Sequence, residues 1–156
     1  ARHPVIVVSA GAKAFLDLPK TVEYLETLGV PVVGYRCSEF PAFWSRSSGI
    51  SLPHRADSPA DIATIATAAE SSGWSGGILV ANPIPASAEI PSAEIAAAID
   101  TGLAVAAREG AVGPTATPRV LAAIAEATAS RSIPANLALA ESNATLAAQI
   151  AVELTR

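Results

Sequence analysis

The sequence predicts an α/β protein, a parallel sheet in α-β-α layers with a helical C-terminal part. Three observations carry that expectation. Apolar runs of strand length at residues 5–9, 30–35 and 76–81 suit parallel strands covered on both faces. A helix-patterned segment separates the first two runs, which gives the strand–helix–strand order of a right-handed parallel crossover. From residue 91 onward, helix-start signals recur with no further strand pattern.

The elements follow in order. Residues 5–9 form the first strand, and Gly11 permits a tight turn after it. Residues 21–28 read as a helix, with Val22, Leu25 and Leu28 on one face, Pro19 in its first turn and Gly29 at its end. Residues 30–35 are the next strand. Residues 36–52 hold Cys37, Phe40, Phe43, Trp44 and a series of serines; they predict a structured loop with a short helical turn near 41–44. Ser58-Pro59-Ala60-Asp61 starts a helix that runs to about Ser71, with serine as cap, proline at the first position and an acid in the first turn. The third strand, 76–81, ends at Asn82-Pro83-Ile84-Pro85. Pro91-Ser92 opens a helix to Arg108, and Thr117-Pro118 opens one to Thr128. Residues 133–139 and 143–154 complete the helical half. No repeat and no linker appears, so residues 1–156 read as a single unit.

The bulk numbers narrow the function. Apolar residues make up 51% of the 156 and mean hydropathy is +0.41, but alanine carries much of that excess. No stretch approaches the ~20 continuous apolar residues of a membrane span. The net charge of −4, without a basic patch, argues against nucleic-acid binding. The single cysteine, Cys37, excludes an internal disulfide and fits a reducing, cytoplasmic compartment. The chain enters its first strand almost at once, without a signal peptide, and this abrupt start predicts a missing upstream segment.

Lys13 is the candidate nucleophile. It follows the first strand in Ser9-Ala10-Gly11-Ala12-Lys13, and Lys20 is the only other lysine in a chain whose remaining cations are arginine. Arginine cannot lose its proton, whereas a lysine can and can then attack a carbonyl. Such a lysine must be desolvated or lie near positive charge. The strand end and a helix N-terminus just after Gly11 would supply both. The competing reading is a lysine that snorkels to the surface. Ligands of open α/β sheets sit at the C-terminal ends of strands, where Lys13 and Asn82 both fall. Asn82 also reads as part of a rigid turn. Asn136 and Asn143 each either cap a helix or face a ligand. His3 and His54 lack metal-ligand spacing, Cys37 reads as a small buried hydrophobe, and no phosphate-loop or dinucleotide fingerprint is present.

Several stretches together resemble the pseudouridine-5′-phosphate glycosidase, or indigoidine synthase A-like, family. They are Ser-Ala-Gly-Ala-Lys with Phe-Leu-Asp at 9–17, residues 21–35, Glu-Phe-Pro-Ala-Phe-Trp-Ser-Arg-Ser-Ser-Gly at 39–49, Arg-Ala-Asp-Ser-Pro at 55–59, Gly-Gly-Ile-Leu-Val-Ala-Asn-Pro-Ile-Pro at 76–85, Thr-Pro at 117–118, and Asn-Leu-Ala-Leu with Ser-Asn-Ala at 136–144. The resemblance covers essentially the whole chain, as the C-terminal half of the family's fold.

That resemblance implies reversible cleavage of pseudouridine 5′-phosphate to uracil and ribose 5-phosphate. It implies Lys13 as the imine-forming nucleophile, Asn136 as the base-recognising asparagine and Asn82 as a weaker substrate-binding candidate. It further implies a divalent metal, Mn²⁺, held by an aspartate upstream of this chain, and a homotrimer. The acidic catalytic group and most phosphate-binding groups would also lie in the N-terminal half. The isolated chain is therefore expected to be inactive, and no metal ligand is assigned within it. Two other readings stay open: a non-catalytic structural or ligand-binding remnant, and a Schiff-base aldolase acting on another sugar phosphate.

Overall fold

The computed structural model describes residues 2–110 and 116–156. Four parallel strands form one sheet in the order β1 (Ile6–Ser9), β4 (Ile78–Ala81), β2 (Val32–Tyr35), β3 (His54–Ala56). The predicted α/β class is observed. The last strand in sequence is inserted between the first two, so β1 and β2 both pair with β4 and never with each other.

Alternation along the strands sorts the core into two faces. Val33, Ile78 and Val80 point to one face and pack with Ile62 of α2 (Pro59–Ser71) and Leu146 and Ile150 of α5 (Ser132–Glu153). Val32, Leu79 and Ala81 point to the other and pack with Leu18 and Val22 of α1 (Leu18–Thr27). Helices thus cover both faces of the central strands, as their unbroken apolar runs require. β1 is an edge strand, and Val7, on the α1 side, remains half exposed.

The helix starts follow their local signals. Asp17 caps α1 by accepting the Lys20 N–H at 3.1 Å, and Gly29 ends it at φ 67°. Ser58 and Asp61 form a reciprocal capping box at α2. The α3 helix (Ser92–Arg108) packs against α4 (Ala116–Ala127), and both join α5 around Ile95, Ile99, Val120, Ile124 and Leu139. That third cluster also takes in Ala10 and Ile84, which follow β1 and β4, so the helical part sits beyond the C-terminal ends of these strands. Among the described residues no helix is long and apolar enough to cross a membrane.

One strand is additional, and two expectations change. His54–Ala56 is a strand, although two of its three residues are exposed and polar. It is an edge strand paired only with β2, so one buried residue, Ala56, suffices to anchor it. Residues 41–44 are not helical: Ala42 and Ser45 pair across a tight turn, with Phe43 at φ 64°. The expected helices at 133–139 and 143–154 merge into one continuous helix, α5, which ends at Glu153. Its buried stripe of Ala135, Leu139, Leu146 and Ile150 runs straight through residues 140–142, which separate the two expected helices.

Candidate active site

Lys13 lies in the loop that joins β1 to α1, half-buried, with its Nζ 5.8 Å from the centre of the Phe15 ring. A cation at that distance is attracted to the ring face. The helix N-terminus expected just after Gly11 is absent. Residues 13–16 form a turn closed by the Leu16 N–H on the Lys13 carbonyl at 2.9 Å, and α1 starts only at Leu18. At that start the Asp17 carboxylate already accepts the Lys20 N–H, and it also pairs with the Lys20 ammonium at 2.8 Å. The hydrogen bond from Lys20 holds the Asp17 carboxyl below its usual range.

The Lys13 loop is tied to the aromatic turn at 42–45. The Phe43 N–H donates to the Ala10 carbonyl at 3.0 Å, and Gly11 bridges Ala42. Within the turn the Ala42 N–H donates to the Ser45 carbonyl at 3.0 Å. Phe43 adopts a left-handed conformation that bulky residues rarely take, and its ring meets Trp44 edge-on at 4.9 Å. The turn is in turn pinned to the segment after β4. The Ile90 N–H donates to the Trp44 carbonyl at 3.0 Å, the Ser45 hydroxyl donates to the Ile90 carbonyl at 2.9 Å, and Arg46 donates to the Ile84 carbonyl.

Trp44 is fully buried, and its indole Nε1–H donates to Oδ1 of Asn136 at 2.8 Å. Asn136 is exposed and lies inside α5, so it caps nothing. One hydrogen-bonded path therefore runs from the Lys13 loop through the aromatic turn to Asn136.

Asn82 and Asn143 form a second polar group. Asn82 is buried past the end of β4, and its backbone N–H donates to the Ser9 carbonyl at 2.7 Å. Its Nδ2 donates to Ser142 Oγ at 3.0 Å and to Asn143 Oδ1 at 2.9 Å. Those two bonds use both amide hydrogens and fasten β4 to α5. Asn143, like Asn136, is interior to α5 rather than a cap, and the two lie seven residues apart on one side of the helix. Asn82 also borders a shallow cleft of about 430 Å³ with Tyr35, Pro85, Glu141 and Gln149. Sequence reasoning singled out Lys13, Asn82 and Asn136 but missed Trp44 and Ser142. Both are long-range partners, 92 and 60 positions from the asparagines they meet, and no local pattern signals either.

Cys37 is half-buried against the Ala81 carbonyl, and burial pushes its thiol pKa up, so it is a poor nucleophile at neutral pH. Among the described residues no three His, Cys, Asp or Glu side chains converge into a metal-holding group.

Comparison with known proteins adds to this geometry. The family model described as "Indigoidine synthase A like protein" matches residues 1–153. A pseudouridine-5′-phosphate glycosidase of Methylobacterium nodulans is 55% identical over 154 residues, 99% of this chain and 46% of that protein. One from Caldanaerobacter subterraneus is 45% identical over all of this chain and 51% of its own length. Among solved structures, the prealnumycin C-glycosynthase AlnA in complex with ribulose 5-phosphate superposes with a TM-score of 0.88 at 35% identity, covering 96% of this chain and 49% of that one. An indigoidine synthase A-like protein from Thermotoga maritima gives 0.84 at 38% identity, over 97% of this chain and 50% of that one. The chain spans about half the length of the relatives it matches.

Proposed function

Because the chain belongs to the indigoidine synthase A-like family, we propose that it is the lysine-bearing half of a pseudouridine-5′-phosphate glycosidase. The observation that carries this reading is the hydrogen-bonded path from the Lys13 loop through Trp44 to Asn136. It couples an amine on the sheet rim to an exposed amide of the kind that reads a nucleobase edge.

The chemistry fits a lysine. The bond to be broken joins two carbons, so protonating an oxygen or nitrogen leaving group is no help, and an electron sink is needed. In the synthetic direction, Lys13 Nζ attacks C1 of open-chain ribose 5-phosphate, and the aldehyde oxygen leaves as water to give an imine. C5 of uracil bonds to C1, the imine π electrons move to nitrogen, and the C5 proton is lost. Closure of a sugar hydroxyl onto C1 then expels the lysine amine. Cleavage runs these steps in reverse. Asn136 holds the base and the Phe15 ring flanks the amine.

The reading includes a partner, the N-terminal half of the same enzyme. Val5 and Val7 are 53% and 50% exposed beside and on edge strand β1, a surface that parallel sheets normally cover. The resemblance assigns the divalent metal Mn²⁺, the acidic group and the phosphate grip to that half. The described residues of this chain do not form a metal-holding group of their own. Residues 1–156 alone are accordingly inactive, and a homotrimer of joined halves is the proposed active assembly.

Borohydride reduction in the presence of ribose 5-phosphate tests the reading. With the N-terminal half present, a covalent pentose phosphate adduct on Lys13 is expected by peptide mass mapping. No adduct under those conditions identifies a non-catalytic remnant instead. A second enzymatic reading, Schiff-base chemistry with another acceptor, draws on the similarity to a C-glycosynthase solved with ribulose 5-phosphate. Comparing uracil with other acceptors in the synthetic direction separates the two.

A further inference from the structure

We propose that Trp44 is a positioning residue that locks the Asn136 amide with its nitrogen outward, so that the site reads a carbonyl oxygen of the base. The proposal rests on the base-binding role given to Asn136 above. An indole nitrogen can only donate, and an asparagine amide has one accepting atom, Oδ1. At the observed 2.8 Å the flipped amide would set N–H against N–H. It would also strand the donor of a fully buried side chain, which folded proteins avoid. The oxygen of Asn136 is thereby turned inward.

The lock is rigid on both sides. Trp44 sits in a two-residue turn closed by Ala42 and Ser45, its carbonyl is held by the Ile90 N–H, and Phe43 packs edge-on against its ring. Asn136 is carried by the middle of a helical turn in α5, and its side chain makes no cap. Because Asn136 is exposed, its two Nδ2 hydrogens are the groups it offers to a ligand. A base that presents a carbonyl oxygen there is accepted. A base that presents an amino group at the same place meets donor against donor. Selection for the carbonyl edge thus arises from a tryptophan that need not touch the base.

The test uses this chain assembled with its N-terminal half. Trp44 is replaced by benzothienylalanine, which keeps the bicyclic shape but has sulfur in place of N–H. The expected result is a rise of about tenfold in KM for uracil in the synthetic direction. KM for ribose 5-phosphate and borohydride trapping on Lys13 should stay within about twofold of the parent, the margin expected when a distant contact is untouched. Asn136→Asp keeps an acceptor for Trp44 but has no donor, so it should lose uracil as fully as Asn136→Ala. An unchanged KM for uracil in the benzothienylalanine protein, with Asn136→Ala impaired, overturns the role of Trp44 and leaves the base-binding role intact. An equal rise in both KM values marks a structural role and also overturns it. Parent-like behaviour of Asn136→Asp overturns the carbonyl reading, and this variant decides the matter if the analogue fails to fold. Parent-like behaviour of Asn136→Ala removes the base-binding role and the proposal together.

Discussion

Gly11 approaches Pro41 so closely that a β-carbon on it would lie 1.9 Å from the Pro41 carbonyl oxygen. The clash is with backbone, which cannot swing aside, and Gly11 also holds φ 78°. This contact sets the Lys13 loop on the aromatic turn. We predict that Gly11→Ala destabilises the protein by about 2–4 kcal/mol, from strain and steric displacement together. Borohydride trapping on Lys13 should fall with it. Urea denaturation checks the first part, and parent-like stability would show that the two loops are not held as described.

Lys13→Arg separates charge from nucleophilicity. The guanidinium keeps a cation near Phe15 but cannot form an imine. Turnover by the two-half assembly should fall on the order of a thousandfold or more, as for loss of a covalent nucleophile. The melting temperature should barely move, because the side chain is only half-buried. Substantial residual turnover would exclude the imine route.

Asn82 is predicted to matter first for stability. Asn82→Ala removes two side-chain hydrogen bonds from a buried site and leaves Ser142 and Asn143 facing a void. A loss of about 2 kcal/mol is expected. Amide hydrogen exchange near Asn143 should quicken, since the bond joins β4 to α5. A change below about 0.5 kcal/mol, the usual size for surface substitutions, would show that the fastening is not needed.

The cap of α2 gives a pH signature. The Ser58 hydroxyl, and then the Asp57 and Ser58 backbone N–H groups, hold the Asp61 carboxyl below its ordinary range. A carboxylate depressed by folding adds stability above its unfolded pKa, and loses it as pH falls through the folded value. Asp61→Asn should therefore flatten the acid limb of stability against pH and leave its alkaline limb unchanged. Ser58→Ala should cost about 1 kcal/mol at neutral pH. Denaturation series across the acid range check both, and an identical acid limb in Asp61→Asn would refute the cap's contribution.

Particular residues show what was legible. Ser58, Pro59 and Asp61 announce α2 because a cap is a contact among residues three apart. The run at 76–81 announces β4 because both of its faces are buried. His54–Ala56 went unread, since an edge strand held by backbone pairing needs no apolar run. Asn143 reads as the start of a second helix because Asn, like Ser142 before it, favours caps over helix interiors. In the fold Asn143 occupies the core stripe of α5, and Asn82 supplies the partner that makes it acceptable there.

By itself the sequence determined the α/β class, most helix starts, the strand cores and the place of Lys13 at a strand end, all set by periodicity and contacts a few residues apart. Tertiary structure decided that β4 lies between β1 and β2, that the Lys13 loop leans on the 42–45 turn, and that Trp44 meets Asn136. The last two residues stand 92 positions apart. A single donor facing a single acceptor leaves no mark on the local pattern of either segment, and only closure of the chain around its core brings them together.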